Sequence, residues 1–223
     1  MSDNDCQKGQ TITKPDYNAV EASLQTPLGR LRVLGPVSSV QLSEQRLAEG
    51  LSCFRPSCRQ HEALVKLSGQ PDGLVFTASL AGTVISYVSF QKPDYPWWES
   101  RCAPELMELG GIETDLAWRN MGVTRVLLDN IFKNSDFLFF EDFIVMAAHF
   151  VHSWDLKNTG MAPWNYREFM LKLFGNYNFT TWETVDPEIR EHPCNILLAR
   201  VGSKIDSDCV KVFTGSCLGT QLN

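Results

Sequence analysis

The sequence predicts one α/β domain, of the α+β kind, with a mixed central β-sheet flanked by helices. Three observations lead there. The 223 residues contain no long linker, so they suit a single compact core. A β-hairpin pattern lies early in the chain. After it, strand-like and helix-like runs alternate, which places helices on the faces of a sheet that is partly parallel.

The elements follow in order. Residues 1–26 are polar without clear periodicity and are expected to form a loose lead-in. Leu28 to Leu34 sets Leu28, Arg30 and Arg32 against Gly29, Leu31 and Val33 and reads as a strand. Val40 to Leu51 and Gln60 to Leu67 carry apolar residues at helical spacing, and Pro56 separates them. Gln70 to Gly73 is a turn. Leu74 to Leu80 and Thr83 to Phe90 are β-rich runs hinged at Ala81-Gly82, a hairpin by pattern. Lys92 to Pro104 holds three Pro and two Trp and is expected as a loop.

Glu105 to Trp118 then reads as a strand. Gly122 to Phe132 reads as a helix, with Val123, Val126, Leu127 and Ile131 on one face. Phe137 to His149 is strongly β-prone and is expected as a buried strand. Pro163 to Phe174 is a helix with Pro near its start. Phe179 to Val185 and Ile196 to Val201 read as strands, and Asp206 to Phe213 as a short closing helix.

Composition narrows function. Hydrophobic residues make up 43% and charged residues 21%, which excludes disordered, coiled-coil and fibrous classes. Lys plus Arg number 20 against 26 Asp plus Glu, a formal charge of −6. Such a chain is a poor general binder of nucleic acid or anionic membrane, so any polyanion must be held locally. The seven Cys are odd in number and form no CxxC, so they read as reduced thiols. Met1 to Lys14 is polar and does not read as a signal peptide, and Glu141 and Asp142 break the most apolar stretch. A soluble, cytoplasmic protein is expected.

The most informative segment runs from Ile112 to Leu128. A β-prone run ends, a short turn follows, and a helix opens around Gly122. The first N–H groups of a helix have no intrahelical partners, and the helix dipole adds positive potential there. Together they form a pyrophosphate cradle that needs no basic protein. Gly122 permits close backbone approach, and Arg119 and Arg125 are placed to add charge at the rim.

Arg119-x-x-Gly122-x-Thr124 resembles the coenzyme A motif of the GNAT acetyltransferases, with Thr124 where a small residue is usual. The order of elements is similar as well. Gly50 to Pro56, Gln60 to Val65, Glu108 to Glu113, Trp154 to Lys157 and Asp186 to Pro193 resemble the acetoin-utilisation acetyltransferases of bacteria, from about Leu28 to about Lys204. The resemblance implies a GNAT domain over 27–204, between the lead-in of 1–26 and a closing segment of 205–223. It implies acetyl-CoA as co-substrate, no metal, and a lysine acceptor in acetyl-CoA synthetase, which acetylation would switch off. The cofactor site would comprise Thr114, Arg119, Asn120, Met121, Gly122, Val123, Thr124 and Arg125.

Acetyl transfer needs an unprotonated amine, and a lysine with a pKa of about 10.4 needs a base. The resemblance points to Glu108 as that base, with Glu113 as the rival. A regular strand would put the two on opposite faces, and a bulge between them would reverse that. Phe174 stands where related proteins place a Tyr that protonates the leaving thiolate, so that acid is absent. Tyr166 and Tyr177 lie nearby in sequence.

His149, His152, Trp154 and Asp155 cluster after the β-prone run and are expected to wall the acceptor channel, without the spacing of a zinc site. Cys53 or Cys58 with His61 is the remaining nucleophile pair, for which buried, inert thiols are the better reading. Trp97-Trp98 reads equally as a partner patch or as packing. Two further functions stay open: acetylation of a small amine, and an acetyl-CoA sensor without turnover.

Overall fold

The structure, a computed structural model, describes residues 19–93 and 105–220. Among these residues the chain forms one nine-stranded mixed sheet with helices on both faces. The strands are β1 (Val20–Thr26), β2 (Gly29–Gly35), β3 (Arg46–Leu47), β4 (Leu74–Leu80), β5 (Thr83–Gln91), β6 (Leu106–Thr114), β7 (Ile144–His149), β8 (Thr180–Trp182) and β9 (Ile196–Val201). Their order is β1-β2-β4-β5-β6-β7-β9-β8, with β3 alongside β5. The β6–β7 and β3–β5 pairs are parallel, and the others are antiparallel.

The helices are α1 (Ser39–Ser43), α2 (Ser57–Ser68), α3 (Val123–Phe132), α4 (Leu156–Thr159), α5 (Pro163–Gly175), α6 (Pro187–Arg190) and α7 (Ser207–Leu218). On one face of the sheet, Phe76, Val88, Phe90, Met107, Val145 and Ala147 pack against Leu127, Leu128 and Ile131 of α3 and against Met170 and Phe174 of α5. On the other, Leu34, Val75, Val84 and Tyr87 meet Leu42 of α1 and Leu64 of α2. Further along that face, Leu106, Ile144, Met146 and Leu197 meet Phe213 and Cys217 of α7. The alternation along each strand feeds both layers, which is why the central strands β4, β5 and β6 are buried nearly throughout.

The predicted mixed sheet and its flanking helices are present, and six elements differ in extent. Val20–Thr26, expected inside the loose lead-in, is strand β1, laddered to β2 over its whole length. Its inward residues Val20, Ala22, Leu24 and Thr26 alternate with exposed Glu21, Ser23 and Gln25, a period-two pattern that the reading of a polar lead-in overlooks. The helix expected over Val40 to Leu51 stops at Ser43, because Arg46 and Leu47 pair with Thr83 and Val84 of β5. Tertiary pairing there overrides helical periodicity. The strand expected from Glu105 to Trp118 ends at Thr114, and Asp115 caps a single 3₁₀ turn, Leu116–Trp118.

Only the second half of the Phe137 to His149 run is a strand. Phe139–Asp142 forms a 3₁₀ turn whose rings pack on one another and on Phe90, and Glu141 pairs with Arg200 of β9. The strand expected over Phe179 to Val185 shrinks to the three residues of β8, while the closing helix extends to Leu218 and is capped by the Asp206 carboxylate. The Trp97-Trp98 loop lies outside the described residues.

The Arg200–Glu141 pair ties β9 to the chain entering β7. The Arg200 guanidinium also donates to the Phe140 carbonyl at 3.1 Å, and Glu141 accepts from the Ser203 N–H at 2.8 Å. Burial alone would raise the Glu141 carboxyl, but the donors from Ser203 and Arg200 outweigh it and hold the group below the ordinary carboxylate range. Its contribution to stability is therefore present above that range and lost as pH falls through it. Arg200→Met removes one partner of a buried pair and should lower stability by about 3 kcal/mol, read from chemical denaturation midpoints.

Candidate active site

The end of β6 and the start of α3 build the first half of the site. The first helical hydrogen bond runs from the Val126 N–H to the Gly122 carbonyl. The N–H groups of Val123, Thr124 and Arg125 lie ahead of it and have no intrahelical acceptor. Gly122 caps the helix at φ +79°, and Asn120 also has positive φ, so the loop turns sharply before the helix opens. A Cβ placed on Gly122 would meet nothing within 4 Å, so the space before these N–H groups is open on the protein side.

Hydroxyls and one guanidinium lock this turn. Thr114 Oγ1 bonds Ser86 Oγ at 2.7 Å and Thr124 Oγ1 at 2.9 Å, which uses the hydroxyl of Thr124 to tie α3 to the end of β6. Arg119 differs from the expected rim charge. Its Nε donates to the Thr114 carbonyl at 3.1 Å and its terminal nitrogen to Asp155 Oδ2 at 2.6 Å, so it pins the loop to the segment before α4. Arg125 is exposed on the first turn of α3 and forms no ion pair among the described residues. Val123 and Met121 turn their side chains to the core, and Asn120 is exposed. Three free N–H groups, a helix dipole and one exposed Arg fit a pyrophosphate such as that of acetyl-CoA.

Strand geometry leaves a slot beside this turn. β6 and β7 are laddered over only three pairs, ending at Glu108 and Met146, while β6 continues to Thr114 and β7 to His149. Between Ser89 and Phe90 of β5 the β6 register skips one residue, so Gly110 is a bulge. Glu108 pairs with Gln91 and Glu113 with Tyr87, four residues apart on a regular strand. The bulge therefore brings both Glu side chains to the same face, reversing the parity of a regular strand.

The two carboxylates sit differently. Glu108 is buried at the last rung of the β6–β7 ladder. Glu113 lines a pocket of about 300 Å³ together with Gly50, Ser52 and Cys53 before α2, and Ser153, Trp154, Asp155 and Asn158 around α4. Glu113 Oε1 accepts from the Cys53 N–H at 2.7 Å, and Oε2 accepts from the Tyr87 hydroxyl at 3.0 Å. Tyr87 in turn accepts from Gln60 at 2.9 Å. Burial pushes the Glu113 carboxyl above its ordinary value, and these donors only partly offset it. Burial and the neighbouring Glu113 push the Tyr87 phenol far up, so it stays a donor.

The remaining sequence candidates fall into place around this pocket. Trp154 both walls it and stacks on Tyr166, with ring centroids 4.9 Å apart. His152 is exposed and stacks on Phe150, whereas His149 is buried at the end of β7. No group of three or more His, Cys, Asp or Glu able to hold a metal ion occurs among the described residues. Phe174 is fully buried, and the Tyr177 hydroxyl donates to the Arg125 carbonyl.

Cys53, in the segment before α2, and Cys58, in the first turn of α2, are exposed rather than buried. The His61 ring bonds the Leu42 carbonyl and not a thiol. Burial, Asp155 and Glu113 raise the Cys53 thiol, the opposite of activation. The residues that sequence reasoning missed are Tyr87, Gln60 and the Cys53 N–H. No local signal marks them, since they lie 26 or more residues from Glu113.

No protein-family model matches the sequence. The chain is 34% identical over 198 residues to the acetoin utilization protein AcuA of Bacillus licheniformis, covering 88% of this chain and 92% of that one. It is 33% identical over 193 residues to AcuA of Bacillus subtilis, covering 86% and 90%. Among solved structures, it superposes on an acetoin utilization protein from Exiguobacterium sibiricum with a TM-score of 0.85 and 32% identity, covering 91% of this chain and 95% of that one.

The geometry of the helix start is open to test by substitution. Gly122→Glu places a carboxylate before the free N–H groups and should weaken acetyl-CoA binding at least tenfold in calorimetry. Gly122→Ala, which meets no neighbour, should cost about 1 kcal/mol of stability from the left-handed backbone alone.

Proposed function

The chain belongs to the AcuA family of acetoin utilization proteins, a family of GNAT-type acyltransferases, and on that premise we propose that it transfers acetyl from acetyl-CoA to a lysine of a protein, acetyl-CoA synthetase, and so switches that enzyme down. One observation carries the chemical part of this reading. Glu113 is a buried carboxylate, raised by burial, that lines a pocket and directly precedes Thr114, the residue bonded to Thr124 at the helix start.

The roles follow from position. The N–H groups of Val123, Thr124 and Arg125, with the exposed Arg125 side chain, hold the pyrophosphate. The unladdered edge of β6 beyond Glu108 offers backbone groups to the extended arm of the co-substrate and an N–H to the thioester oxygen. The acceptor amine enters from the pocket. Glu113, directly or through one water, takes its proton as the nitrogen attacks the carbonyl carbon. The tetrahedral intermediate collapses with cleavage of the C–S bond, and the thiolate leaves with the electron pair. Of the two carboxylates we assign the base to Glu113, since it reaches the pocket and Glu108 sits several rungs away.

The reaction is placed in the cytoplasm, in keeping with the reading of the cysteines as thiols. No helix among the described residues is long and apolar enough to cross a membrane.

Two experiments test these assignments. Glu113→Gln should lower kcat about a hundredfold or more at neutral pH while acetyl-CoA affinity holds, and Glu108→Gln should lower it far less. Because Glu113 acts deprotonated and its value is raised, wild-type kcat/KM should fall as pH drops through that raised value, and Glu113→Gln should lose this limb. The reverse ranking of the two variants would return the role to Glu108. For the substrate, the chain mixed with acetyl-CoA and acetyl-CoA synthetase should release coenzyme A and label one synthetase lysine by mass spectrometry. An unlabelled synthetase beside an acetylated polyamine would favour a small-amine acceptor, and binding of acetyl-CoA without turnover would favour a sensor.

A further inference from the structure

His149 is a buried imidazole that the roles above leave unused. It is the last residue of β7, and its Nε2 is shielded from solvent with no hydrogen-bond partner. Its ring lies 5.2 Å from that of Phe174, which has no polar side-chain atom to offer it. A buried polar atom without a partner is uncommon in a folded chain and calls for an explanation.

Its place in the sheet supplies one. The β6–β7 ladder ends at Glu108 and Met146. Continued in the same register, it would set His149 level with Gly111, one residue past the Gly110 bulge. His149 is therefore beside the slot, at the level where β6 shifts register.

The two sides of the sheet have different roles there. His149 shares the face of Val145 and Ala147, which pack toward α3 and α5. Glu113 is on the opposite face, with Glu108 and Met146. An extended chain held at the free start of α3 and running back along the open edge of β6 covers about 3.3 Å per residue. From Thr114 to Gly110 that is roughly 13 Å, which sets its far end near the bulge. A nucleophile deprotonated from the Glu113 face pushes the leaving group toward the other face, where His149 stands.

Resting on the acyl-CoA reading above, we propose that His149 Nε2–H is the hydrogen-bond donor to the thioester sulfur, stabilising the thiolate as the C–S bond breaks. Burial lowers the imidazole to about 4, so at neutral pH the ring is uncharged and carries one N–H. It keeps that proton, because giving it up would leave an imidazolate. The thiolate departs as the anion with the C–S electron pair and is protonated by solvent after release.

The test reads the thiol of coenzyme A itself, apart from turnover. Saturating the wild-type chain with coenzyme A and following thiolate absorbance against pH should show the bound thiol ionising at lower pH than in free coenzyme A. His149→Phe should raise that value by about one unit, a tenfold change in ionisation, with coenzyme A affinity at acid pH within twofold. His149→Gln, which keeps an N–H donor, should recover part of the shift. In wild-type chain carrying isotope-labelled histidine, coenzyme A should move the Nε2 resonance of His149, a readout that needs no variant to fold. An unmoved resonance, or equal thiol ionisation in wild type and His149→Phe, overturns the proposal while leaving the acyl-CoA site standing. Failure of coenzyme A to bind the wild-type chain overturns both.

Discussion

The early end of the ladder between β6 and β7 is the constraint on which the rest of the molecule turns. Two parallel strands begin paired at Leu106 and Ile144 and lose that pairing three residues later. Each is held by its other neighbour, β6 by β5 and β7 by β9, so the sheet survives the gap. Backbone groups facing a gap must find other partners or stay solvated. A ligand with amides along an extended arm satisfies that demand as an added strand would. The bulge at Gly110 belongs to the same arrangement. It turns Glu113 to the face where α1 and α2 pack, so the carboxylate meets the segment before α2.

Burying Glu113 has consequences on both sides of the sheet. A carboxylate removed from water needs donors, and two reach it from distant parts of the chain, the Cys53 N–H and the Tyr87 hydroxyl. They fix the position of each oxygen without adding a charge nearby. The Arg119 cation is already paired with Asp155, and its pull on Glu113 is the smallest of the influences on that carboxyl. The result is a carboxyl raised above its usual range, suited to accepting a proton, at some cost to the fold above that range. The folded chain binds the Glu113 proton more tightly than the unfolded chain. This stabilising term is therefore complete below the ordinary carboxylate value and lost as pH rises through the raised one.

How much of this the residues disclose depends on the range of the interaction. The β4–β5 hairpin, α5 and β9 are legible because period and turn chemistry are local: Ala81 and Gly82 both take positive φ, as a two-residue hairpin turn requires. The start of α3 is legible for the same reason. β3 is not, since a two-residue strand exists only through its pairing with Thr83 and Val84. The 3₁₀ turn at Phe139–Asp142 is not, since aromatic composition reads as strand while the rings pack on one another and Glu141 answers to Arg200. In the site, the two candidate carboxylates could be named from sequence, but their different surroundings could not. Those rest on a bulge and on partners 26 and 60 residues away.

The acidic balance of the chain acquires a physical meaning at the same place. With Arg119 held by the Thr114 carbonyl and Asp155, the helix start cannot rely on a cluster of free cations. What remains for an anion is short-ranged: three N–H groups, the dipole of a ten-residue helix and Arg125. Such a site selects by contact rather than by long-range attraction, and a net charge of −6 elsewhere disfavours extended polyanions that would need several contacts at once. The Thr114–Thr124 bond serves the same end. By fixing α3 to the last residue of β6, it holds the N–H groups at a set distance from the slot and from Glu113. The proposed anion site and the proposed proton acceptor are thus both tied to one strand, and the rigidity of β6 between β5 and the start of α3 keeps the two in register.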